Sequence, residues 1–438
     1  MDSIASGIRW VSAYLAAVLA PLVVLLIVPM PPGSGFWWDF SMATGFAAVA
    51  MLGIQFVLTA RFKRVAAPFG VDIVYYFHRY MAVFAFGLLC AHYLVIRIGN
   101  PDALGAAHPL VAPGHMTAGR AAFLCFALVI ATSLWRKQLR IAYEPWRVGH
   151  AVLSTGGLAL AVIHIEGVEY YSEAVAHRLF WSVFLVFWLL VVVYVRVLKP
   201  WRMRGRPYRV VDVRQETTRA STVVMEPQGH EGIRFAPGQF AWLTLRASPF
   251  AFSEHPFSIA SSAEAPQRLE FTIKALGDFT ETVRAIAPGE IAYLDGPYGA
   301  FSVDRMRAPG FVFIAGGVGI APIMSMLRTF AQRGDERPLT LVYANRREQG
   351  IIFRDELEAL RSRLALQVVH VLQEPPAAWD GERGLIDAAL LERNLPAEHA
   401  RLEYLVCGPK PMIQAVEKAL YGLQVPLGRV HSELFDLV

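Results

Sequence analysis

The chain has few cysteines and few charged residues for its length. Three cysteines, Cys90, Cys125 and Cys407, stand far apart among 438 residues, so neither a disulfide framework nor a zinc site follows from them. Charged residues make up 18% of the chain, and its net charge is only +5. Part of that surplus comes from arginines that flank apolar segments. We therefore expect no nucleic-acid partner.

No internal repeat or low-complexity tract stands out either, and what the chain has in excess is apolar residues. They account for 55% of the sequence, against about 45–50% in soluble domains. The mean hydropathy is +0.39. Because the excess lies before about residue 200, the sequence predicts a membrane half joined to a soluble half. A chain of this length should hold two or three domains.

Six apolar segments approach or exceed the length that spans a bilayer. They cover roughly residues 11–30, 38–60, 71–97, 118–135, 147–166 and 178–197. Positive residues follow the second, fourth and sixth segments: Arg61, Lys63, Arg64, Arg136, Lys137, Arg140, Arg147, Arg196, Lys199, Arg202, Arg204 and Arg206. The positive-inside rule therefore predicts a multi-pass protein of the plasma (inner) membrane, in contact with the lipid bilayer, with both termini in the cytoplasm.

Two of these segments carry histidines at one repeated spacing. His78 and His92 lie in the third segment, His150 and His164 in the fifth, and each pair is fourteen residues apart. Fourteen helical steps fall about 40° short of four turns and span about 21 Å, so the two rings of a pair share a face at different depths. Since both segments run outward, the inner pair His78/His150 and the outer pair His92/His164 could each clamp one haem iron. A lone histidine there would more often be a packed core residue, but the repetition favours ligation.

The sequence changes character near residue 207. Short strands at 208–213, 219–225, 240–245 and 269–274 are separated by Gly, Pro and polar turns, which is typical of a small antiparallel barrel. Beyond residue 310, strands at 311–315, 339–344 and 404–407 alternate with helices near 320–333, 354–364 and 410–420. This βαβ succession predicts a parallel-sheet α/β nucleotide-binding domain.

Two motifs of the α/β part indicate a dinucleotide site. The sequence GGVGIAP at 316–322 follows a strand and opens a helix, where glycines let main-chain N–H groups approach a pyrophosphate. A tight structural turn could need the same glycines. Arg346 and Arg347 follow the next strand, where NAD sites often carry an acid and where arginine suits a 2′-phosphate. We expect NADPH, with NADH possible; a solvated basic turn is the alternative.

Three further motifs are plausible turns when taken singly. HPFS at 255–258 supplies a rigid extended backbone, an aromatic face and a hydroxyl that could sit against a flavin ring. GDFT at 277–280 forms a turn into a short helix, which is suited to a pyrophosphate. CGPKPM at 407–412 ends a strand and enters a helix, where a buried structural thiol is the plainer interpretation.

In this order the motifs resemble those of the ferric reductase and NADPH oxidase family. HPFS resembles that family's HPFT flavin motif and GDFT its GDWT-type pyrophosphate motif, while GGVGIAP and CGPKPM resemble its nicotinamide-domain signatures. The two histidine pairs match its haem-ligand pattern. The resemblance implies a six-helix transmembrane haem bundle over 1–200 with two haem b groups. It further implies an antiparallel β-barrel FAD domain over 204–303 and an NAD(P)H-binding α/β domain over 309–438.

The resemblance also implies roles for individual residues. His255, Pro256, Phe257 and Ser258 would contact the flavin, and Gly277 and Thr280 would hold the FAD phosphates. Cys407 would lie near the nicotinamide, and Phe435 would stack on the isoalloxazine and swing aside for hydride transfer, although Asp436, Leu437 and Val438 follow it. The remaining cofactor contacts would be Lys274, Gly316, Gly317, Gly319, Pro322 and Gly408.

Together these features predict electron transfer from NADPH through FAD and two haems to an external one-electron acceptor. That acceptor is O2, giving superoxide, or in the alternative a ferric chelate, and no obligatory protein partner is expected. His108, His115, Arg120 and Arg97 near the outer face could shape the acceptor site, or could be ordinary solvated residues. Two rival interpretations are an ion-conducting protein whose histidines relay protons and a flavin reductase on an inert membrane anchor.

Overall fold

A computed structural model describes residues 2–27, 35–62, 70–168 and 174–434. The chain divides into two compact units, Met1–Pro200 and Trp201–Val438. Three sequence predictions lie outside the described residues: the end of the first apolar segment, Lys63 with Arg64, and Phe435.

The first unit contains six long apolar helices among its described residues, each long enough to cross a bilayer. Their apolar side chains point outward as well as inward, which is typical of membrane spans. After the sixth helix the chain passes through a π-helical turn, Tyr194–Leu198, into a short basic helix, α7 (Lys199–Arg204). The six helices are α1 (Asp2–Ile27), α2 (Phe36–Thr59), α3 (Val71–Gly99), α4 (Gly114–Leu134), α5 (Tyr143–Gly167) and α6 (Val175–Val193).

Helix α2 occupies the middle of this unit. More of its length is buried than of the other five long helices of this unit, and small residues let its neighbours approach closely. At Gly53, a Cβ would lie 2.6 Å from the ring of Phe184 on α6, closer than real Cβ contacts allow. Helix α3 packs along α2 on one side, and α4 packs along α5 as a second antiparallel pair. The four predicted haem ligands thus lie on α3 and α5, one helix of each pair.

The second unit begins with an antiparallel sheet whose strands run in the order β4-β3-β6-β1-β2-β5. A bridge between Ile259 and Phe271 joins the end of β4 to β5 and closes the sheet into a barrel around an apolar core. A one-turn helix, α8 (Asp278–Thr282), follows β5. The strands are β1 (Tyr208–Thr217), β2 (Ala220–Pro227), β3 (Phe240–Leu245), β4 (His255–Ser258), β5 (Leu269–Lys274) and β6 (Ile291–Tyr298).

The rest of the unit is a wholly parallel sheet with strand order β10-β9-β8-β7-β11-β12. Apolar clusters fill both of its faces, as parallel sheets require. The strands are β7 (Phe311–Gly316), β8 (Leu339–Asn345), β9 (Leu366–Leu372), β10 (Glu382–Arg383), β11 (Glu403–Gly408) and β12 (Val430–Leu434). The helices are α9 (Ile320–Arg333), α10 (Arg354–Arg361), α11 (Ala388–Asn394) and α12 (Lys410–Gly422).

The predicted fold class is confirmed. Six apolar helices, an antiparallel barrel and a parallel α/β sheet occur in the expected order. The strand β6 was not predicted because Asp295, Gly296 and Pro297 interrupt its apolar pattern. The strand β9 was missed because it follows α10 after only a short turn. The domain limits at 204–303 and 309–438 stay a prediction.

Candidate cofactor sites

His78 on α3 and His150 on α5 face each other. Their ring centroids are 6.3 Å apart, and the planes are inclined by 58°. A metal–imidazole bond is about 2 Å and a ring nitrogen lies roughly 1 Å from the centroid, so two imidazoles sharing one iron need centroids roughly 6 Å apart. The observed separation is compatible with a shared iron. No cluster of three or more His, Cys, Asp or Glu suited to a metal occurs among the described residues, so such an iron would need non-protein ligands as well.

His92 and His164 form a second histidine level, as His78 and His150 form the first. Main-chain carbonyls hold the rings of this second level. His92 Nδ1 is 2.9 Å from the carbonyl oxygen of Ser41, and His164 Nδ1 is 3.0 Å from that of His115. Because a carbonyl only accepts, each Nδ1 carries the proton and leaves Nε2 free to bind a metal. The Ser41 hydroxyl adds a contact of 3.1 Å to the ring of His92. This arrangement fits the two imidazoles to a metal between the helices.

Two glycines make room for these rings. A Cβ on Gly45 would lie 3.0 Å from His92 Nδ1, and a Cβ on Gly119 would lie 2.7 Å from His164 Nδ1. Gly45 follows Ser41 by one helical turn, as Gly119 follows His115, so the carbonyl and the gap come from the same helix face. On α2 and on α4, a carbonyl and a glycine one turn later therefore orient the histidine of the neighbouring helix in the same way.

At the level formed by His78 and His150, side chains rather than main-chain carbonyls lie next to the ring of His150. His150 Nδ1 is 3.3 Å from the Ser133 hydroxyl, and its ring lies against Trp146 at 5.2 Å between centroids. Arg196, in the π-helical turn after α6, lies within electrostatic range of His150. In the described part of the chain His78 Nδ1 has no hydrogen-bond partner. Sequence reasoning did not single out Ser133, Trp146 or Arg196, because their proximity depends on helix packing.

The residues predicted near the outer face have varied positions. Arg120 donates to the carbonyls of Leu104 and Ala106 at 2.6 and 2.7 Å, so it fastens the loop between α3 and α4. His108 lies in that loop, where its Nδ1 accepts from Leu110 N. Arg97 is exposed in the last turn of α3. Of these residues, His115 reaches a histidine level, through its carbonyl.

In the second unit, the HPFS and GDFT motifs lie side by side. Phe279 stacks on His255 with 3.9 Å between ring centroids. Phe279 also stacks with Phe257, with 6.2 Å between centroids. Ser258 is buried, and its hydroxyl has no hydrogen-bond partner among the described residues. Pro256 is paired with Trp242 across β3 and β4. An orphaned hydroxyl beside an extended aromatic strand fits a polar ring system such as a flavin.

Thr280 stabilises the turn at GDFT from within. Its hydroxyl accepts from the main-chain N–H groups of Leu276 and Gly277, both at 2.9 Å, and contacts the Gly277 carbonyl. The threonine therefore shapes the phosphate turn predicted from the sequence. Lys274, at the end of β5, brings its Nζ within 3.8 Å of the position that a Cβ on Gly317 would take. This places a positive charge beside the glycine turn, where a pyrophosphate would be favoured.

The GGVG and CGPKPM turns pack directly on each other. Gly317 adopts φ +55°, which side chains disfavour, and a Cβ on Gly319 would overlap the Cys407 carbonyl. A Cβ on Gly408 would lie 3.1 Å from Gly316 N. Tyr343 OH donates to the Gly317 carbonyl at 3.0 Å and so stabilises the turn. Pro322 is buried in the first turn of α9. The glycines thus keep main-chain N–H groups accessible at the head of the sheet.

Cys407 is fully buried at the end of β11, opposite Glu433 of β12. Burial raises the pKa of its thiol well above the usual range, and the Glu433 carboxylate raises it further. The thiol is therefore neutral and packs as a small apolar group. Phe435, which would follow β12, lies outside the described residues.

Arg346 and Arg347 share one carboxylate that the sequence did not reveal. Both guanidinium groups bond Glu374, at 2.6 and 2.7 Å, and Glu374 N also donates to the Arg346 carbonyl at 2.8 Å. These bonds lower the pKa of Glu374. The turn after β9 therefore supplies the acid that is absent from the end of β8. The Glu374 carboxylate competes with a 2′-phosphate for the two guanidinium groups.

Three family models match the chain over successive stretches. "Ferric reductase like transmembrane component" matches residues 44–163, which include all four histidines. "FAD-binding domain" matches 208–302 and "Oxidoreductase NAD-binding domain" matches 313–418. These matches establish a multi-pass membrane unit fused to a unit that binds FAD and NAD(P)H.

Curated relatives agree with an oxidoreductase. The stachydrine N-demethylase reductase subunit Stc4 of Rhizobium meliloti (strain 1021) is 32% identical over 205 residues, covering 45% of this chain and 58% of the relative. NADH-cytochrome b5 reductase 1 of Laccaria bicolor is 33% identical over 186 residues, covering 41% and 60%. The chain thus spans less than two thirds of the length of these relatives. A crystal structure of flavohemoglobin from Malassezia yamatoensis has a similar fold, with a TM-score of 0.50 at 16% identity, covering 91% of this chain and 98% of that one.

Proposed function

We propose, from the premise that this chain is a fusion of the ferric reductase and NADPH oxidase type, that it moves electrons from NADPH across a membrane to an acceptor on the far side. The observation that carries the proposal is the placement of two histidine levels on α3 and α5, with the ring centroids of His78 and His150 6.3 Å apart. The chemistry that bound FAD would supply is conversion of the two-electron hydride of NADPH into single electrons, which haem iron takes one at a time. His78 and His150 would hold one haem, His92 and His164 the other.

The chain's own residues prepare this path. The glycine turn at 316–319 and Lys274 would bind the dinucleotide pyrophosphate, and Ser258 would contact the flavin. Arg346 and Arg347 favour NADPH over NADH by their charge. The basic residues Arg136, Lys137 and Arg140 between α4 and α5, with Arg147 near the start of α5, support a cytoplasmic position for both termini in a plasma (inner) membrane.

The acceptor we favour is O2, reduced to superoxide. Two histidines would hold each haem, and the chemistry that a haem so held would supply is transfer of single electrons to a molecule outside without binding it. Each NADPH oxidised to NADP⁺ and a proton supplies two electrons, which reduce two O2 molecules. The family model named for ferric reductases supports a ferric chelate as the second candidate, with two Fe(III) reduced to Fe(II) per NADPH.

The test uses the full-length protein in liposomes that enclose a ferric chelate and a dye for Fe(II), with NADPH outside. We expect NADPH oxidation with superoxide in oxygenated buffer. His92→Leu should abolish transfer to O2 and to the enclosed chelate, yet preserve reduction of ferricyanide added on the NADPH side. His108→Leu, a loop histidine outside both levels, is the matched control and should behave as wild type.

Contrary results would separate the rivals. Ferricyanide reduction on the NADPH side without reduction of the enclosed chelate, alike in wild type and His92→Leu, would favour the inert anchor. A protein without a bis-histidine haem spectrum after haem supplementation would favour the proton relay. Turnover that stops without oxygen and is not rescued by ferric chelate would exclude the ferric reductase.

A further inference from the structure

A fourteen-residue step along each helix of an antiparallel pair connects the two histidine levels. On α4 and α5, Gly119 adjoins His164; fourteen residues onward on α4 and fourteen back on α5 lie Ser133 and His150, which also contact each other. The fourteen-residue step between the two histidines of α5 therefore corresponds to a fourteen-residue step between the residues of α4 that contact them.

The same step on α2 and α3 arrives at a residue with no assigned role. Ser41, at the start of α2, contacts His92 near the end of α3. Fourteen residues onward on α2 and fourteen back on α3 lie Gln55 and His78. Gln55 thus stands level with His78, in the position that Ser41 holds toward His92.

Gln55 and His78 also carry complementary buried atoms. Gln55 is 6% exposed; its Nε2 donates to the Met51 carbonyl at 3.0 Å. In the part of the chain that the structure describes, neither Gln55 Oε1 nor His78 Nδ1 has a hydrogen-bond partner. One atom accepts and the other can donate, and a buried polar atom left without a partner destabilises the fold. Pairing the two removes both penalties.

We propose that Gln55 is the positioning residue of His78: its Oε1 accepts, through one bridging water, the hydrogen bond that Nδ1–H donates, and so leaves Nε2 for the haem iron. This rests on the proposed function. A hydrogen bond to Nδ1 makes an imidazole a stronger donor to its metal and stabilises the oxidised iron. The His92/His164 level is held by main-chain carbonyls, whereas the His78/His150 level would be held by Gln55 and Ser133. A side chain can be substituted and a main-chain carbonyl cannot. Mutation can therefore change the reduction potential of the haem at the His78/His150 level separately from that of the other haem.

The experiment measures both haem midpoint potentials in purified full-length protein by spectroelectrochemical titration, with haem content determined in parallel. Gln55→Leu should raise the potential of one haem and leave the other unchanged, because the acceptor is lost. Gln55→Glu should lower the potential of the same haem, because a carboxylate accepts more strongly. Ser133→Ala should raise the same component, since Ser133 serves the other ligand of that iron.

Thr132→Val is the matched control, because the Thr132 hydroxyl is satisfied within its own helix by the Leu128 carbonyl. It should move neither potential. Equal potentials in wild type, Gln55→Leu and Gln55→Glu would overturn the role of Gln55. Should Gln55→Leu lose a haem, Gln55→Glu decides: a lowered potential supports the role, and an unchanged one overturns it. A wild-type protein with fewer than two haems would instead overturn the proposed function.

Discussion

Single residues in the membrane unit orient the imidazoles by the hydrogen bonds that they accept and by the side chains that they lack. The carbonyls of Ser41 and His115 fix the protonated nitrogen of His92 and His164, and Gly45 and Gly119 omit the side chain that would displace each ring. Glycine inside a helix costs roughly 0.5–1 kcal/mol relative to alanine, so these positions give up stability for space.

On the proposed function, Gly119→Ala should therefore cost the haem that His92 and His164 would hold. A Cβ at this position would lie 2.7 Å from His164 Nδ1 and force the ring off its carbonyl partner. Gly156→Ala is the matched control, because nothing lies within 4 Å of a Cβ there. The measurement is haem per chain, with the Soret spectrum. Full occupancy in Gly119→Ala would mean that His164 does not need its present orientation.

Glu374→Gln should improve NADPH binding. The substitution weakens the ion pairs that engage Arg346 and Arg347 and leaves the guanidinium groups to a 2′-phosphate. We expect a several-fold lower KM for NADPH and an unchanged KM for NADH. The exposed Glu358→Gln, which pairs with Arg361 on α10, is the control. An equal change for both nucleotides would argue against a 2′-phosphate site at these arginines.

The positions of the four histidines were predictable because helical period and membrane thickness are local properties of a sequence. Glu374 and Gln55 were not predictable. Glu374 reaches the arginines from the turn after β9, and Gln55 gains meaning only through the register between α2 and α3. Both depend on contacts distant in sequence, which no periodicity encodes. Phe435 remains a prediction.

At the scale of elements, one arginine joins the barrel to the parallel sheet's helices. Arg328 of α9 bonds Glu270 of β5 at 2.9 Å, Glu356 of α10 at 2.6 Å and the Ala260 carbonyl at 2.8 Å. Its side chain is only 13% exposed. These bonds raise the pKa of Arg328 against the effect of burial, so it stays charged.

Arg328→Met should destabilise the second unit by about 3 kcal/mol, since it leaves the buried Glu270 carboxylate without one of its cations. The measurement is thermal unfolding of the full-length protein. Arg361→Met removes an exposed pair and should change stability by less than about 0.5 kcal/mol. Equal unfolding temperatures for the two variants would show that the buried pair contributes nothing net.

Element order was largely readable from the sequence, and element limits less so. The helix at 320–333 begins and ends as predicted because glycines bound it on both sides, at Gly319 and Gly334. The edge strand β12 was missed because its five residues mix charged and apolar side chains without alternation. It forms because Tyr404 to Gly408 offers a free parallel edge.

At the scale of the whole molecule, the sequence separates into two units because two solvents select their residues. Lipid requires helices that satisfy every main-chain group internally, so the first unit is helical throughout its described spans. Water permits the sheets and turns of the second unit, where the glycine and arginine motifs lie. This change of solvent explains why hydropathy alone located the junction near residue 200.

The shared register of the helix pairs also restricts how such a gene can evolve. One residue inserted between Gly119 and Ser133 would turn one end of α4 by about 100° relative to the other, so that Gly119 and Ser133 could no longer both face their histidines. Loops tolerate gains and losses of residues, but these helices do not. On the proposed function, relatives that bind haem at both histidine levels should therefore differ in length only outside the stretches between paired contacts.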